Sequence, residues 1–427
     1  MNKNKILIIT SLAFLLFIQN NVSALIPTNF SRPYDVNFRL ADWKNTKFKF
    51  GVNVETGSTS RARDGSENKN GLLQRYNPTE SSLAMLMGAP KGTETYDLAS
   101  KFLAAYGPAT DDGVRGHFVL DGKFYQTELT FFGQYRLPLD TVPGKFDLFV
   151  YLPIENLSIK NIQWYDQTKS VLNADKDVHR YLTDDISGVA QELGGLDVGR
   201  WSKTGLGDLI VMLGWHNDFR QLKEYLKNVR LSARLGFTAP TGAKKNEDVA
   251  LSLPMGNDGS WGIPFTVGID LDFVHRIRAG IEFEAVFSFD DTSTRRLKTD
   301  VNQTDFLLLH KGRVTKSPGF LWKFNLFLQA RRFLGGLSFL TAYQFSKHDD
   351  DRMSADSNDF SYNIINTAES LKEWGFQNFI FQLNYDFFKE FKRSWFKPQI
   401  SLFYKLPVTG KRVINPHTFG GQLAFNF

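Results

Sequence analysis

The strongest signal along the chain is an alternation of apolar and polar residues with period two. In RIRAGIEFEAVFSFD, Ile277, Ala279, Ile281, Phe283, Ala285, Phe287 and Phe289 share one face, while Arg276, Arg278, Gly280, Glu282, Glu284 and Ser288 share the other. Successive side chains of a strand point to opposite faces, so this stretch predicts a strand with one oily and one wet side. The same split sets Lys47, Lys49, Asn53 and Glu55 against Phe48, Phe50, Val52 and Val54, and Arg230, Ser232 and Arg234 against Val229, Leu231, Leu235 and Phe237. In WFKPQISLFYKL, Phe396, Ile400, Leu402, Tyr404 and Leu406 oppose Lys397, Gln399, Ser401 and Lys405. These runs last roughly 10 to 14 residues, which suits a tilted membrane-spanning strand better than the ~5 to 6 residues of a soluble sandwich.

Strands are predicted near 46–57, 123–137, 144–160, 204–217, 228–239, 262–274, 276–289, 319–332, 333–346, 374–388, 395–408 and 417–427. The gaps between them alternate long and short, as in barrels with long extracellular loops and short periplasmic turns, and this order places both termini in the periplasm. An even strand number closes the sheet and leaves no unpaired edge in lipid. The fold class is therefore all-β, an antiparallel transmembrane β-barrel of about twelve strands. In the long first loop, 58–122, helical spacing of Leu83, Leu86 and Met87, then of Leu98, Phe102, Leu103 and Tyr106, predicts two short helices. They serve either as a plug folded inward or as a cap over the rim.

Composition refines this picture. The 39 Phe, 14 Tyr and 8 Trp sit in a chain of mean hydropathy −0.28, so apolar and polar residues are finely interleaved. The absence of Cys excludes thiolate metal sites and disulfides. Acids and bases nearly balance at a net charge of +6, which excludes a nucleic-acid binder. Lys3 and Lys5, the apolar run from Ile6 to Ile18 and Val22-Ser23-Ala24 read as a cleaved signal peptide, 1–24. Residues 25–45 then form an N-terminal periplasmic segment whose Phe30, Pro33 and Trp43 are too apolar for a free tail, and the barrel covers 46–427.

The sequence HTFGGQLAFNF places Phe419, Leu423, Phe425 and Phe427 on the lipid face, with Gly420, Gln422, Ala424 and Asn426 inward. This pattern resembles the C-terminal assembly signal of bacterial outer-membrane proteins. The resemblance implies an outer membrane of Gram-negative type, with its lipid, the barrel-assembly machinery and periplasmic chaperones as partners. A narrower resemblance lies in TGLGDLIVMLGW, RLSARLGFTAPTG and LPMGNDGSWGIPFTVGIDLDF, where Gly207-Asp208, Pro240 to Gly242 and Gly259-Ser260-Trp261 mark strand ends. It is similar to the outer-membrane family called MetA pathway of phenol degradation, a group of transporters. That implies small hydrophilic or aromatic solutes without naming one, and the long first loop and Phe richness depart from its pattern.

The wet faces supply the candidate lumen and selectivity residues: Lys47, Lys49, Arg230, Arg234, Asp270, Asp272, Arg276, Arg278, Glu282, Glu284, Lys323, Arg331, Lys397 and Lys405. Charges this numerous imply either a hydrated pore or a ladder of paired ions filling the interior. Asp270 and Asp272 lie one tight turn from Arg276 and Arg278, close enough to pair. Lys47, Lys49, Lys397 and Lys405 are expected to form one basic wall. No catalytic residue, cofactor or metal is expected. The seven histidines are scattered away from any serine-nucleophile motif, and DDDRMSADSND lacks the Gly and terminal Glu of an EF-hand loop. The leading function is a porin-like channel for passive or selective passage of small solutes. The alternative is a structural or adhesive barrel acting through its loops.

Overall fold

The computed structural model describes residue 39 and residues 47–106, 116–139, 142–168, 183–387, 396–414 and 416–427. Twelve antiparallel strands form the wall: β1 Phe48–Thr59, β2 His117–Leu137, β3 Lys145–Asp166, β4 in two pieces (Trp201–Leu206 and Leu209–Arg220), β5 Leu226–Ala239, β6 Gly262–Phe273, β7 Ile277–Ser288, β8 Leu321–Leu334, β9 Leu337–His348, β10 Trp374–Asp386, β11 Lys397–Lys411 and β12 His417–Asn426. Each pairs with its sequence neighbours, and β12 pairs back onto β1 through Phe50↔Phe425 and Glu55↔Gly420. Phe427 completes the seam: its N–H donates to the Phe48 carbonyl at 2.8 Å, and its own carbonyl accepts from Lys47 N–H at 3.0 Å.

Period two governs the wall. Phe48, Leu235, Ile269, Ile281, Phe283, Leu326, Leu328, Leu402 and Phe419 are exposed on the outside, whereas Lys49, Asn53, Glu55, Asp270, Glu282, Lys323, Asn325 and Gln422 are buried inside. An exposed apolar belt around a closed, polar-lined sheet is what lipid selects, because every backbone group is satisfied within the sheet. Leu423 and Phe427 are also exposed, and Phe425 is half-buried. Some inward Phe rings lie flat on glycines of the adjacent strand. A Cβ at Gly420 would stand 2.0 Å from the Phe403 ring, and one at Gly280 2.4 Å from that of Phe327.

The long connections share one end of the barrel and the short ones the other. In the long set, Leu73, Met85 and Leu86 of the first loop, Ile186 and Leu196 of the second, Leu253 and Met255 of the third, Phe306 and Leu309 of the fourth and Ile414 of the last form one hydrophobic core. That core continues onto Phe124, Leu157, Ile159 and Phe376 at the loop end of the wall. The first loop carries the helices Ser82–Met85 and Glu94–Tyr106, and Ser81 caps the former by accepting from Ala84 N–H. Gln303 ties the fourth loop to the first, its Nε2 donating to the Met87 carbonyl at 2.9 Å. The KEFKRS turn, the leader and the side chains of Phe102, Leu103 and Tyr106 lie outside the described residues.

Candidate functional site

The inner wall divides into two sectors. From β1 to β8 it is dominated by charge, and several ion pairs staple neighbouring strands. Arg136 Nε of β2 meets Asp147 Oδ1 of β3 at 2.6 Å; Arg230 Nε of β5 meets Asp218 Oδ1 of β4 at 2.9 Å; Arg278 Nε of β7 meets Asp272 Oδ1 of β6 at 2.7 Å. Lys323 of β8 lies 3.6 Å from Glu284 of β7, with both side chains almost fully buried. Arg234 reaches Glu282 at 3.9 Å and lies over the Phe149 ring. Across the β12 seam, Lys405 donates to Glu55 at 2.9 Å. Glu55, Glu128 and Glu155 occupy one register row across β1, β2 and β3. From β8 to β12 the inner face is mainly amide and hydroxyl: Asn325, Gln344, Asn378, Gln382, Asn384 and Gln422, all buried.

The candidate residues fall into place unevenly. Lys49, Arg230, Arg234, Asp270, Asp272, Arg278, Glu282, Glu284, Lys323 and Lys405 stand on the inner wall in these pairs or beside them. Arg331 reaches Asp272 at 2.9 Å. Two of the residues read as lining do not sit on the inner wall. Arg276 is exposed in the Val274–Arg276 turn, where His275 and Arg276 have left-handed φ of 58° and 66°, and it donates to the Arg332 carbonyl of the next turn. The turn takes it out of the strand row, so of the expected Asp–Arg pairing only Arg278 takes part. Lys47 precedes β1 and is exposed at the rim. The single basic wall is likewise not formed. Lys49 and Lys397 share a row, both opposite Asn426, but Lys405 is engaged by Glu55.

Two interior cations escaped the alternation. Arg39 precedes the barrel in sequence, yet its guanidinium sits inside, 3.0 Å from Asp270, 3.3 Å from Glu282 and 4.2 Å from the Phe327 ring centroid. No periodic pattern marks it. Arg332 enters because the ladder slips between Ala330 and Leu334, letting two successive arginines turn inward; its Nε donates to Asp386 at 2.8 Å. The cavity beside Arg39, Asp147, Arg234 and Asp270 measures only about 110 Å³.

The three glycine-rich stretches of the narrower resemblance meet at one carboxylate. Asp208, fully buried between the two pieces of β4, accepts from Gly242 N–H at 3.0 Å and from Asn257 N–H at 2.6 Å. Gly256, with φ 103°, has no room for a Cβ beside it. The turn chemistry thus locks the break in β4 to the third loop.

No protein-family model matches the chain, and no curated protein does. The narrower resemblance therefore stands on its motifs alone. Among solved structures, the chain is similar to an outer membrane channel from Pseudomonas putida F1, at 12% identity over 91% of this chain and 99% of that one, with a TM-score of 0.47. It is also similar to a mutant of the TodX monoaromatic hydrocarbon channel, at 13% identity over 95% and 96% of the chains and a TM-score of 0.36. A third is the β domain of the Bordetella autotransporter BrkA, at 9% identity over 90% and 100% and a TM-score of 0.34. These likenesses are loose, and the barrel assignment rests on the strand pairing itself.

Proposed function

We propose that the chain is an outer-membrane channel of porin type for small polar solutes, seen here with its loop end covered. The observation that carries this reading is the amide sector. Asn384 is buried on its inner face, and neither its amide oxygen nor its nitrogen has a hydrogen-bond partner among the described residues; Asn53 of β1, across the seam, is buried in the same state. Buried amides left unpaired cost about 1–3 kcal/mol each, so an interior built of them is one that water or a passing polar solute satisfies. Many ions of the charged sector are paired across strands, which points to mild selectivity. At the loop end the six loops pack as a cap; at the other end Arg39 narrows the lumen. The loop end faces the exterior and the termini face the periplasm, following the long-loop, short-turn order of bacterial barrels.

A non-enzymatic role fits the histidines. His216 lies 3.3 Å from Asp147, His348 3.6 Å from Asp351, and Tyr404 shares a hydrogen bond with His417 Nδ1. All three partners are structural. Liposome swelling with the refolded protein tests the proposal: uptake of arabinose-sized neutral solutes above protein-free vesicles is expected. Failure of every small solute to enter, with the barrel shown folded by heat-modifiable migration, would favour a structural or adhesive role for the cap.

A further inference from the structure

The cap contains a cavity of about 250 Å³, enclosed by the first, third, fourth and fifth loops, with Arg412 of the last. Its lining is unbalanced, with eight Lys or Arg side chains against four Asp or Glu. Most of these cations are satisfied by the protein. Arg295 pairs with Asp258 and with Asp291 at 3.2 Å; Lys316 pairs with Asp351 at 2.8 Å; Arg412 pairs with Glu369 at 2.6 Å; Arg296 donates to the carbonyls of Leu308, Leu309 and Gly194, each at 2.9 Å. Burial pushes the Asp351 carboxyl up, but Lys316 and His348 outweigh it and hold it below its usual range.

Two lining cations stand apart. Arg75 is 4% exposed and Lys298 6%, and neither makes a hydrogen bond or ion pair with the described residues. Arg75 has only aromatic neighbours for its charge, lying 4.4 Å from the Tyr76 centroid and 5.1 Å from that of Phe306. Glu80 lies within the field of Arg75, but burial pushes its carboxyl up to about 8, so it is largely protonated at neutral pH. A buried charge without a counter-charge is costly, and a cavity that leaves two on its wall is arranged for an anion from outside. Phe306, Met353, Ile365 and Trp374 supply an apolar part of the lining.

We propose that the cap cavity is a binding site for a small amphiphilic oxyanion, whose carboxylate or phosphate head sits between Arg75 and Lys298 while a ring-sized apolar body lies against Phe306 and its neighbours. The volume suits this class, since a cavity of about 150 Å³ already admits benzene. Arg75 lines this cavity, and a guanidinium is the side chain best suited to hold a carboxylate or phosphate by charge-assisted hydrogen bonds. The site lies in the cap rather than the barrel interior, so it stands whether or not the barrel conducts.

Titration calorimetry on the full refolded protein tests it with four probes: benzoate, phenyl phosphate, neutral benzamide and inorganic phosphate. Saturable binding of benzoate or phenyl phosphate is expected, with benzamide at least tenfold weaker for want of charge and inorganic phosphate weaker for want of a body. Which of the two organic anions binds better tells carboxylate from phosphate recognition. Arg75→Gln and Lys298→Gln should each weaken binding tenfold or more, whereas Lys91→Gln, at an exposed position outside the cavity, should not. As a readout that needs no ligand, Lys298→Met should raise the thermal midpoint of the free protein by removing an uncompensated charge. The proposal is overturned if no organic anion binds, if benzamide binds equally well, or if binding survives both cavity substitutions.

Discussion

The two sectors of the inner wall solve one problem in different ways. Both must line a closed sheet with polar groups while the outer face meets lipid. The charged sector pairs many of its ions across strands, as Lys323 with Glu284 and Arg278 with Asp272. The amide sector instead leaves donors and acceptors such as those of Asn384 without partners among the described residues. Paired charges rigidify the wall and cancel one another's field; unpaired amides keep it wettable. On the proposed channel function, the first sector is the frame and the second the surface that a solute would meet.

Breaking a pair should expose that difference most strongly. Glu284→Leu leaves Lys323 buried without its acid and is expected to cost about 3–5 kcal/mol in urea unfolding, with Lys323→Met in the same chain restoring most of it. A loss from Glu284→Leu no larger than that of an amide substitution would erase the distinction between the sectors. The burial of this pair also means that Glu284→Arg, which alternation alone would rate as tolerable, should be as damaging as a lipid-face charge. On that outer face, Phe283→Arg is expected to cost roughly 2–4 kcal/mol by setting a cation against hydrocarbon.

The cap offers a pH-dependent control. Glu80 is raised from 4.5 to about 8 by burial, so the folded cap binds its proton more tightly than the unfolded chain. Its contribution is complete below pH 4.5 and is lost as pH rises towards and through 8. Amide-exchange protection around residues 80–86 should fall between about pH 5 and 8, and Glu80→Gln should flatten that dependence while leaving the barrel strands unchanged. An identical pH profile in both proteins would contradict the burial argument. The smallest effect is expected in the amide sector. Asn384→Leu removes groups that have no partner among the described residues and should change stability by less than about 1 kcal/mol, while measurably reducing solute passage.

Much of the wall was legible because alternation over a membrane thickness leaves few other readings. All twelve strands fall within a few residues of their expected positions, and the inward set around Glu282 and Glu284 follows directly. The pattern failed where the backbone departs from a regular strand. A left-handed turn removed Arg276, and a slipped ladder admitted Arg332. Arg39 was illegible because it belongs to no periodic segment. Of the amide sector, Gln399, Gln422 and Asn426 were legible as inward from alternation, but nothing in the spacing told that one arc of the wall would be mainly amide. In the cap, pairs such as Lys316–Asp351 join loops far apart in sequence, which no local spacing reports.

The central claim is that a wettable interior lies beneath a covering cap, and single-channel conductance tests it most directly. Wild-type protein in planar bilayers should show small or infrequent openings. A variant in which residues 82–106 are replaced by a short Gly-Ser connection, its barrel verified by heat-modifiable migration, should conduct continuously and at a larger level. A folded variant that conducts no better than an empty bilayer would contradict the account.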